Sequence, residues 1–358
     1  MKSRHFFVGL TVAAIALYFT FRDISLRQML LSVGSVRYEY LAGFLVLFSA
    51  SFAVRALRWG CFCRVVKPVP TARLFSPMVI GFMGNLLPLR AGEFIRAYLL
   101  GKREGIAFSA SLATIAVERL FDMLSVLALL GLLLAWNPSV LVPLGGEGDP
   151  AQVAQYLRAF GFVSLAAVLG LAGFFYLLVH RQGSAMGFVR LFTRRLPAKF
   201  ENRIDGILGS FVSGLGVLKD PWGMLVSVLL SALLWCLLCL SNYPFYWAYG
   251  IQSQMPLDSV VPLMVVTCVL LSVMPTPGYL GPYQFGMTFV LADLYGVDRS
   301  VAAGFSMVNW FVTMGTVFLA GVFFLLRDNL SLADLIRRAR EVSGAARATA
   351  ERRPRERS

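Results

Sequence analysis

Six of the nine Lys, Arg, Asp and Glu residues between positions 90 and 122 stand in apolar surroundings: Arg90, Glu93, Arg96, Glu118, Arg119 and Asp122. An ionisable group at membrane depth costs at least about 2.5–3.5 kcal/mol on insertion scales, so it is functional by default. The signs balance, three guanidinium groups against three carboxylates. On a helix, Glu118 and Asp122 share a face at i,i+4, and Arg119 reaches Asp122 at i,i+3. Arg pairs phosphate oxygens through its planar fork, which makes Arg90 a candidate anion receptor. The plainer alternative is an ion-pair cluster that locks one segment to another. Arg96 could also snorkel to the interface.

A second group lies between positions 275 and 285: Pro275, Thr276, Gly278, Tyr279, Gly281, Tyr283 and Gln284. Gly92 and Pro282 each follow a break in an apolar run, where a half-helix would restart. A helix start presents free N–H groups and about half a positive charge. Two such starts facing one cavity would form an anion site without any catalytic residue. Gly278 and Gly281 permit close backbone approach. Pro and Gly would equally serve a tight turn alone. Asn85, Tyr279, Tyr283, Gln284 and Asn309 offer amide and hydroxyl contacts to a headgroup, and each also suits an ordinary interhelical hydrogen bond.

Other chemistries find little support. Cys61-x-Cys63 sits at the inner end of a span and Cys236-x2-Cys239 within an apolar span, where small residues pack helices, and the two histidines, His5 and His180, stand far from these acids in sequence. Neither a metal site nor a Ser-His-Asp hydrolase is expected. No Walker-type loop occurs, so no nucleotide is expected as direct energy source. With no catalytic motif, the expectation is a protein that is not an enzyme and needs no cofactor.

The elements that must hold these residues follow from composition. Of 358 residues, 58% are hydrophobic and 15% charged, against about 25% charged in soluble domains. That excludes a soluble domain and a secreted disulfide scaffold. The fold class expected is an all-α polytopic membrane protein with about six full spans plus two re-entrant helical hairpins in an inverted repeat. The spans fall at residues 6–21, 38–56, 106–136, 157–179, 222–248 and 300–326. The first is read as a retained helix rather than a signal peptide, because apolar residues continue past the small residues at 14–16. Residues 74–100 and 259–296 are apolar but broken midway, and neither half reaches the about 20 residues a span needs. Paired interrupted segments in corresponding positions of two halves point to a transporter's site. The division is 1–136 with the inner hairpin, 137–326 with the outer hairpin, and a basic cytoplasmic tail, 327–358. Residues 330–342 read as a short amphipathic helix and the last 16 as disordered.

The formal charge of +14 could suggest nucleic acid, but its placement argues for topology and no nucleic-acid partner. With this layout 26 Lys and Arg fall on one side and 5 on the other. That count assigns Arg55, Arg58, Arg64, Lys67 and Arg73 to an inner loop. The bias predicts a multi-pass protein of the cytoplasmic (inner) membrane with both termini cytoplasmic.

Residues 81–122 read GFMGNLLPLRAGEFIRAYLLGKREGIAFSASLATIAVERLFD, residues 274–286 read MPTPGYLGPYQFG, and RALRW precedes both at 55–59. The pattern N-x2-P-x3-GE-x2-R, ER-x2-D and P-x-PG-x2-G resembles the flippase-like family of the lysylphosphatidylglycerol synthase transmembrane region. The resemblance covers nearly the whole chain. It implies a membrane domain that carries lipids or lipid-linked intermediates between leaflets. The synthase has a second, soluble aminoacyl-transferase domain; this chain stops at 358 with a basic tail, so that activity is not carried over.

The leading expectation is therefore a lipid flippase. Its partner would be a membrane lipid, an anionic phospholipid or a polyprenyl-phosphate-linked lipid, with the headgroup bound between the hairpins. Three alternatives remain: a membrane enzyme acting on lipid-linked substrates with Glu93 or Glu118 as general base, a proton- or ion-coupled transporter of a small anion, and a structural or accessory protein whose charge cluster is stabilising.

Overall fold

Long apolar runs in lipid must satisfy their backbone groups internally, which helices do. The structure, a computed structural model, describes every residue except 1, 23, 87–90, 143–148, 181–219, 275, 333, 336 and 338–358. Among the described residues all regular structure is helical. Arg90, Pro275, nearly all of the basic loop and the end of the tail lie outside them.

The helices are α1 (Lys2–Phe21), α2 (Leu26–Gly34), α3 (Leu41–Cys63), α4 (Thr71–Asn85), α5 (Gly92–Glu104), α6 (Phe108–Trp136), α7 (Pro150–His180), α8 (Pro221–Ser241), α9 (Tyr243–Tyr249), α10 (Val260–Val273), α11 (Pro282–Thr288) and α12 (Arg299–Arg327). Five stretches are long and apolar enough to cross a membrane: Tyr38–Cys63, Phe108–Trp136, Pro150–Leu171, Pro221–Tyr249 and Arg299–Arg327. The sequence reading expects six; α1 contributes only the shorter apolar stretch Thr11–Phe21. The second expected span also runs further than hydropathy suggests. Helix α3 continues to Cys63 and carries Arg55 and Arg58 inside it, so neither belongs to a loop.

Helix ends follow local chemistry. Asp220 caps α8, its side chain accepting the Trp222 N–H at 3.1 Å, with Pro221 in the first turn. Asp298 caps α12 by accepting from Ser300 and Val301. Gly105 closes α5 at φ 69°, and Lys102 and Arg103 stand in its last turn, where cations suit the helix dipole.

Helices α4 and α5 have 15 and 13 residues, about 22 and 20 Å at 1.5 Å per residue, short of the about 30 Å hydrocarbon core. They pack against each other in opposite directions, with Gly81 and Gly84 meeting Gly92. Helix α10 is about as short, with 14 residues. After it comes a turn with Gly278 at φ 60°, Tyr279 at φ 63° and Gly281 at φ 91°. Helix α11 follows and continues as a π-helical stretch, Phe289–Leu294. The Trp310 indole N–H donates to the Gly278 carbonyl at 2.8 Å and holds this turn to α12. The two breaks approach one another: a Cβ built on Gly278 lies 3.8 Å from the Leu86 carbonyl oxygen.

Packing around the breaks is crosswise. Helix α4 lies on α12, α10 lies on α6, and α3 packs along α8. At the rim of the bundle, Trp136 and Trp222 are exposed at helix ends, as expected of residues that sit at a membrane–water interface. Asp328, just past α12, ties the bases of three helices together. It accepts from Ser76 of α4, from Arg103 of α5 at 2.5 Å, and from Arg327 at 3.1 Å.

Two predictions follow from this packing. A Cβ at Gly92 would collide with the Gly81 carbonyl oxygen and the Asn85 amide. Gly92→Ala should therefore lower stability by about 1–3 kcal/mol, whereas Gly315→Ala, with open space around it, should be neutral; thermal melting in detergent compares them. The second concerns pH. Burial pushes the Asp328 carboxyl up, but the hydrogen bonds from Ser76, Arg103 and Arg327 outweigh it and hold the group below its ordinary value of 3.8. A depressed carboxyl stabilises the fold above its unfolded value and loses that contribution as pH falls through the folded one. Asp328→Asn should melt lower than wild type at neutral pH and converge with it in acid.

Candidate functional site

Helix α3 brings Arg55, Arg58 and Trp59 to one place. Helix α5 brings Glu93 and Arg96, and α6 brings Glu118, Arg119 and Asp122. Glu118 is the hub. Both its oxygens accept from Arg96, at 3.1 and 2.5 Å, in a two-pronged pair. Arg119 Nη2 stands 3.6 Å from it and Arg58 Nη2 3.9 Å. Arg58 also donates to Asp122 at 2.5 Å and to Ser231 of α8 at 3.0 Å. Arg119 faces Glu93 at 3.2 Å and Asp122 at 3.3 Å.

Burial sharpens these contacts. The side chains of Arg58 and Glu118 are both 0% exposed, where attraction between charges is strong and desolvation costly. The Arg96 guanidinium lies 3.7 Å from the centre of the Trp59 ring, a cation–π contact in a dry setting. Trp59 is itself anchored by its indole N–H on Thr114, 3.1 Å away. One edge of the cluster is open, since Arg119 and Glu93 are 34% and 40% exposed.

Arg58, Arg96 and Arg119 balance Glu93, Glu118 and Asp122. Arg55 is left over. It stands on α3 one turn before Arg58, half-buried, with its guanidinium 5.0 Å from the centre of the Phe82 ring. Among the described residues no carboxylate lies within ion-pair distance of Arg55, so the described cluster carries one surplus positive charge. About 12 Å of helix separates Arg55 from the end of α3 at Cys63.

The model of the lysylphosphatidylglycerol synthase transmembrane region matches residues 6–321 of this chain. The chain belongs to that family. Among curated relatives it is 26% identical, over 356 residues, to the glycosyltransferase AglD of Haloferax volcanii, a match covering 93% of this chain and 55% of AglD. The chain thus spans about half the length of that relative. It is also 26% identical to a UPF0104 membrane protein of Methanothermobacter thermautotrophicus, covering 84% of this chain and 91% of the relative. A UPF0104 membrane protein of Methanocaldococcus jannaschii is 22% identical over 70% of this chain and 96% of its own length. No solved structure matches.

In this member of the family, Glu93, Arg96, Glu118, Arg119 and Asp122 come together in one cluster, and Arg90 lies outside the described residues. Arg96 does not snorkel; it is 2% exposed and turned inward. Helices α5 and α11 do start at Gly92 and Pro282, but their first N–H groups are partly taken. Asn85 Oδ1 accepts the Gly92 N–H at 3.1 Å, and Gln284 Oε1 accepts the Gly281 N–H at 2.8 Å. Tyr283 donates to Asn309 at 2.5 Å, and Asn309 donates to Asn242 at 3.2 Å. These amides and hydroxyls hold the fold together. Thr276 is buried with its hydroxyl unpaired among the described residues.

Sequence reasoning misses Arg55, Arg58 and Ser231 as site residues. The i,i+3 spacing of Arg55 and Arg58 in an apolar stretch is the available signal, and placing both in a loop hides it. The cluster predicts unequal costs. Arg58→Ala leaves Asp122 short of its closest cation and should cost about 3–5 kcal/mol. Arg55→Ala breaks no ion pair and should cost under about 1 kcal/mol. Melting temperatures of both purified variants check this.

Proposed function

We propose that this protein moves an anionic phospholipid or a polyprenyl-phosphate-linked lipid between leaflets, its headgroup passing between the two helix breaks while the tails stay in the bilayer. The observation that carries this reading is Arg55: a cation well inside a membrane helix, beside a balanced cluster, with no carboxylate partner among the described residues. A phosphate is the anion its fork suits.

The reading includes a topology. The pairs α4/α5 and α10/α11 are re-entrant hairpins entering from opposite faces, each half has three spans counting α1 and α7 as the first of each, and both termini are cytoplasmic. Three features support it. Neither arm of either hairpin is long enough to span. The breaks approach each other. The first arm of each hairpin lies on the last span of the other half, as an inverted repeat requires. The excess of Lys and Arg on one side persists once Arg55, Arg58 and Arg96 are placed within the membrane.

A second reading has one specific support, the glycosyltransferase name of the Haloferax relative: an enzyme acting on lipid-linked substrates. Against Glu118 as its base stands the two-pronged pair with Arg96, which occupies both oxygens. Glu93 is the more open carboxylate.

Reconstitution separates the readings. Fluorescent phosphatidylglycerol should cross liposome membranes with wild-type protein and emerge chemically unchanged. Arg55→Ala should slow crossing at least about tenfold, the loss of one charge-assisted hydrogen bond, with its melting temperature held. Full transport by that variant would end the Arg55 account, and a chemically altered lipid would favour the enzyme.

A further inference from the structure

The three carboxylates of the charge cluster are held very unequally. Glu118 is fully buried and gives both oxygens to Arg96. Asp122 is 14% exposed and accepts from Arg58 at 2.5 Å. Glu93 is 40% exposed, and its Oε1 stands 3.2 Å from Nε of Arg119. That approach is not a hydrogen bond: the Arg119 Nε–H is buried and has no hydrogen-bond partner among the described residues. What remains is attraction between charges with the donor misaligned, and a misaligned donor contributes much less than an aligned one.

Neither partner depends on this contact. Arg119 keeps Asp122 at 3.3 Å through Nη1 and Glu118 at 3.6 Å through Nη2. Glu93 lies in the first turn of α5, where the positive end of a helix favours a carboxylate. Parting the two strands no charge in the interior, whereas parting Arg96 from Glu118 would. The pair also stands close to Arg55. The guanidinium groups of Arg55 and Arg119 lie 5.0 and 5.7 Å from the centre of one ring, Phe82 of α4. Gly92, beside Glu93, packs on the same helix at Gly81 and Gly84.

We propose that Glu93 is a displaceable counter-ion. It holds the place of a lipid phosphate at Arg119 in the empty protein, yields that place when a headgroup reaches Arg55, and reclaims it as the headgroup leaves. Only ion contacts and hydrogen bonds are exchanged. A phosphate oxygen in line with the Arg119 Nε–H makes the charge-assisted hydrogen bond that Glu93 does not make. Glu93 competes with the lipid for as long as it is bound, which weakens binding and speeds release. A site that must both fill and empty needs that balance. Glu118 and Asp122 cannot serve, because each is fixed by a close pair to another arginine. The role rests on the lipid reading and adds to it the group that lets the bound lipid go.

The test pairs binding with transport on the full chain. Purified protein in detergent is titrated with short-chain phosphatidylglycerol, and crossing of fluorescent phosphatidylglycerol is followed in liposomes up to saturation. Glu93→Gln keeps the shape and removes the charge. It should bind phosphatidylglycerol at least about fivefold tighter, within what one hydrogen bond to a charged group is worth, and move it more slowly at saturation. A residue that only braces the fold would weaken binding and transport together and lower the melting temperature. Here the melting temperature should hold, since the pair is partly exposed. Adding Arg119→Gln should abolish the gain in affinity, because Glu93 acts through Arg119; Glu93→Gln alone decides the matter should the double variant not fold. Unchanged or weaker binding by Glu93→Gln overturns the proposal, as does tighter binding with crossing as fast as before. Equal affinity for soluble glycerol phosphate would make the ligand a free phosphate and overturn it too. Binding needs no transport. If Glu93→Gln tightens binding and neither form moves lipid, the flippase reading alone is refuted. If lipid moves and Glu93→Gln leaves binding unchanged, the counter-ion alone is refuted.

Discussion

The carboxylate of Glu118 governs the middle of this molecule. It has no exposure to solvent, so it must be paired there, and three arginines from three helices face it. Arg96 joins α5 to α6 through both of its prongs. Arg58 and Arg119 bring α3 and the Asp122 carboxylate into the same set. A buried charge that loses its partner costs several kcal/mol, so α5, which starts at Gly92, cannot easily separate from α6. The same accounting isolates Arg55. Each carboxylate in the described cluster is already engaged by an arginine, and among the described residues Arg55 is the cation without a carboxylate at ion-pair distance.

The second half handles the corresponding place differently. There the end of α8, the short helix α11 and the long helix α12 are joined by Asn242, Tyr283 and Asn309, a chain of neutral hydrogen bonds. In the first half α3, α5 and α6 are joined by ions. If the halves are inverted repeats, these are counterparts, and one has charge where the other has none. Neutral amides cost far less to bury than ions. On the proposed transport reading, this asymmetry places the surplus positive charge on one side of the path, which suits an anion that must bind and leave again.

Much of this was legible in the sequence, for identifiable reasons. Glu118 and Asp122 could be placed on one face, with Arg119 in reach of Asp122, because helical spacing alone decides it, and the Arg119–Asp122 pair is present at 3.3 Å. Gly92 and Pro282 marked helix starts because Gly and Pro carry local backbone meaning. Arg58 was not legible. Hydropathy ends a span where charge begins, so a buried arginine near a helix end reads as part of a basic loop; only a partner from another helix, Asp122, shows otherwise. The caps by Asn85 and Gln284 were hidden for a similar reason. A polar residue near a turn looks the same whether it serves a ligand or the adjacent backbone N–H. The π-helical stretch at Phe289–Leu294 has no signature in composition, because it depends on how α11 packs rather than on which residues it contains.

The central claim is that Arg55 meets a lipid phosphate between the two helix breaks. A cryo-electron microscopy map of the protein in phosphatidylglycerol nanodiscs tests it most directly. The account predicts headgroup density within hydrogen-bond distance of the Arg55 guanidinium, continuous with tails that leave into the bilayer. A map in which Arg55 is bridged by a carboxylate of the protein, with the breaks closed on each other and lipid confined to the outer surface, would contradict it.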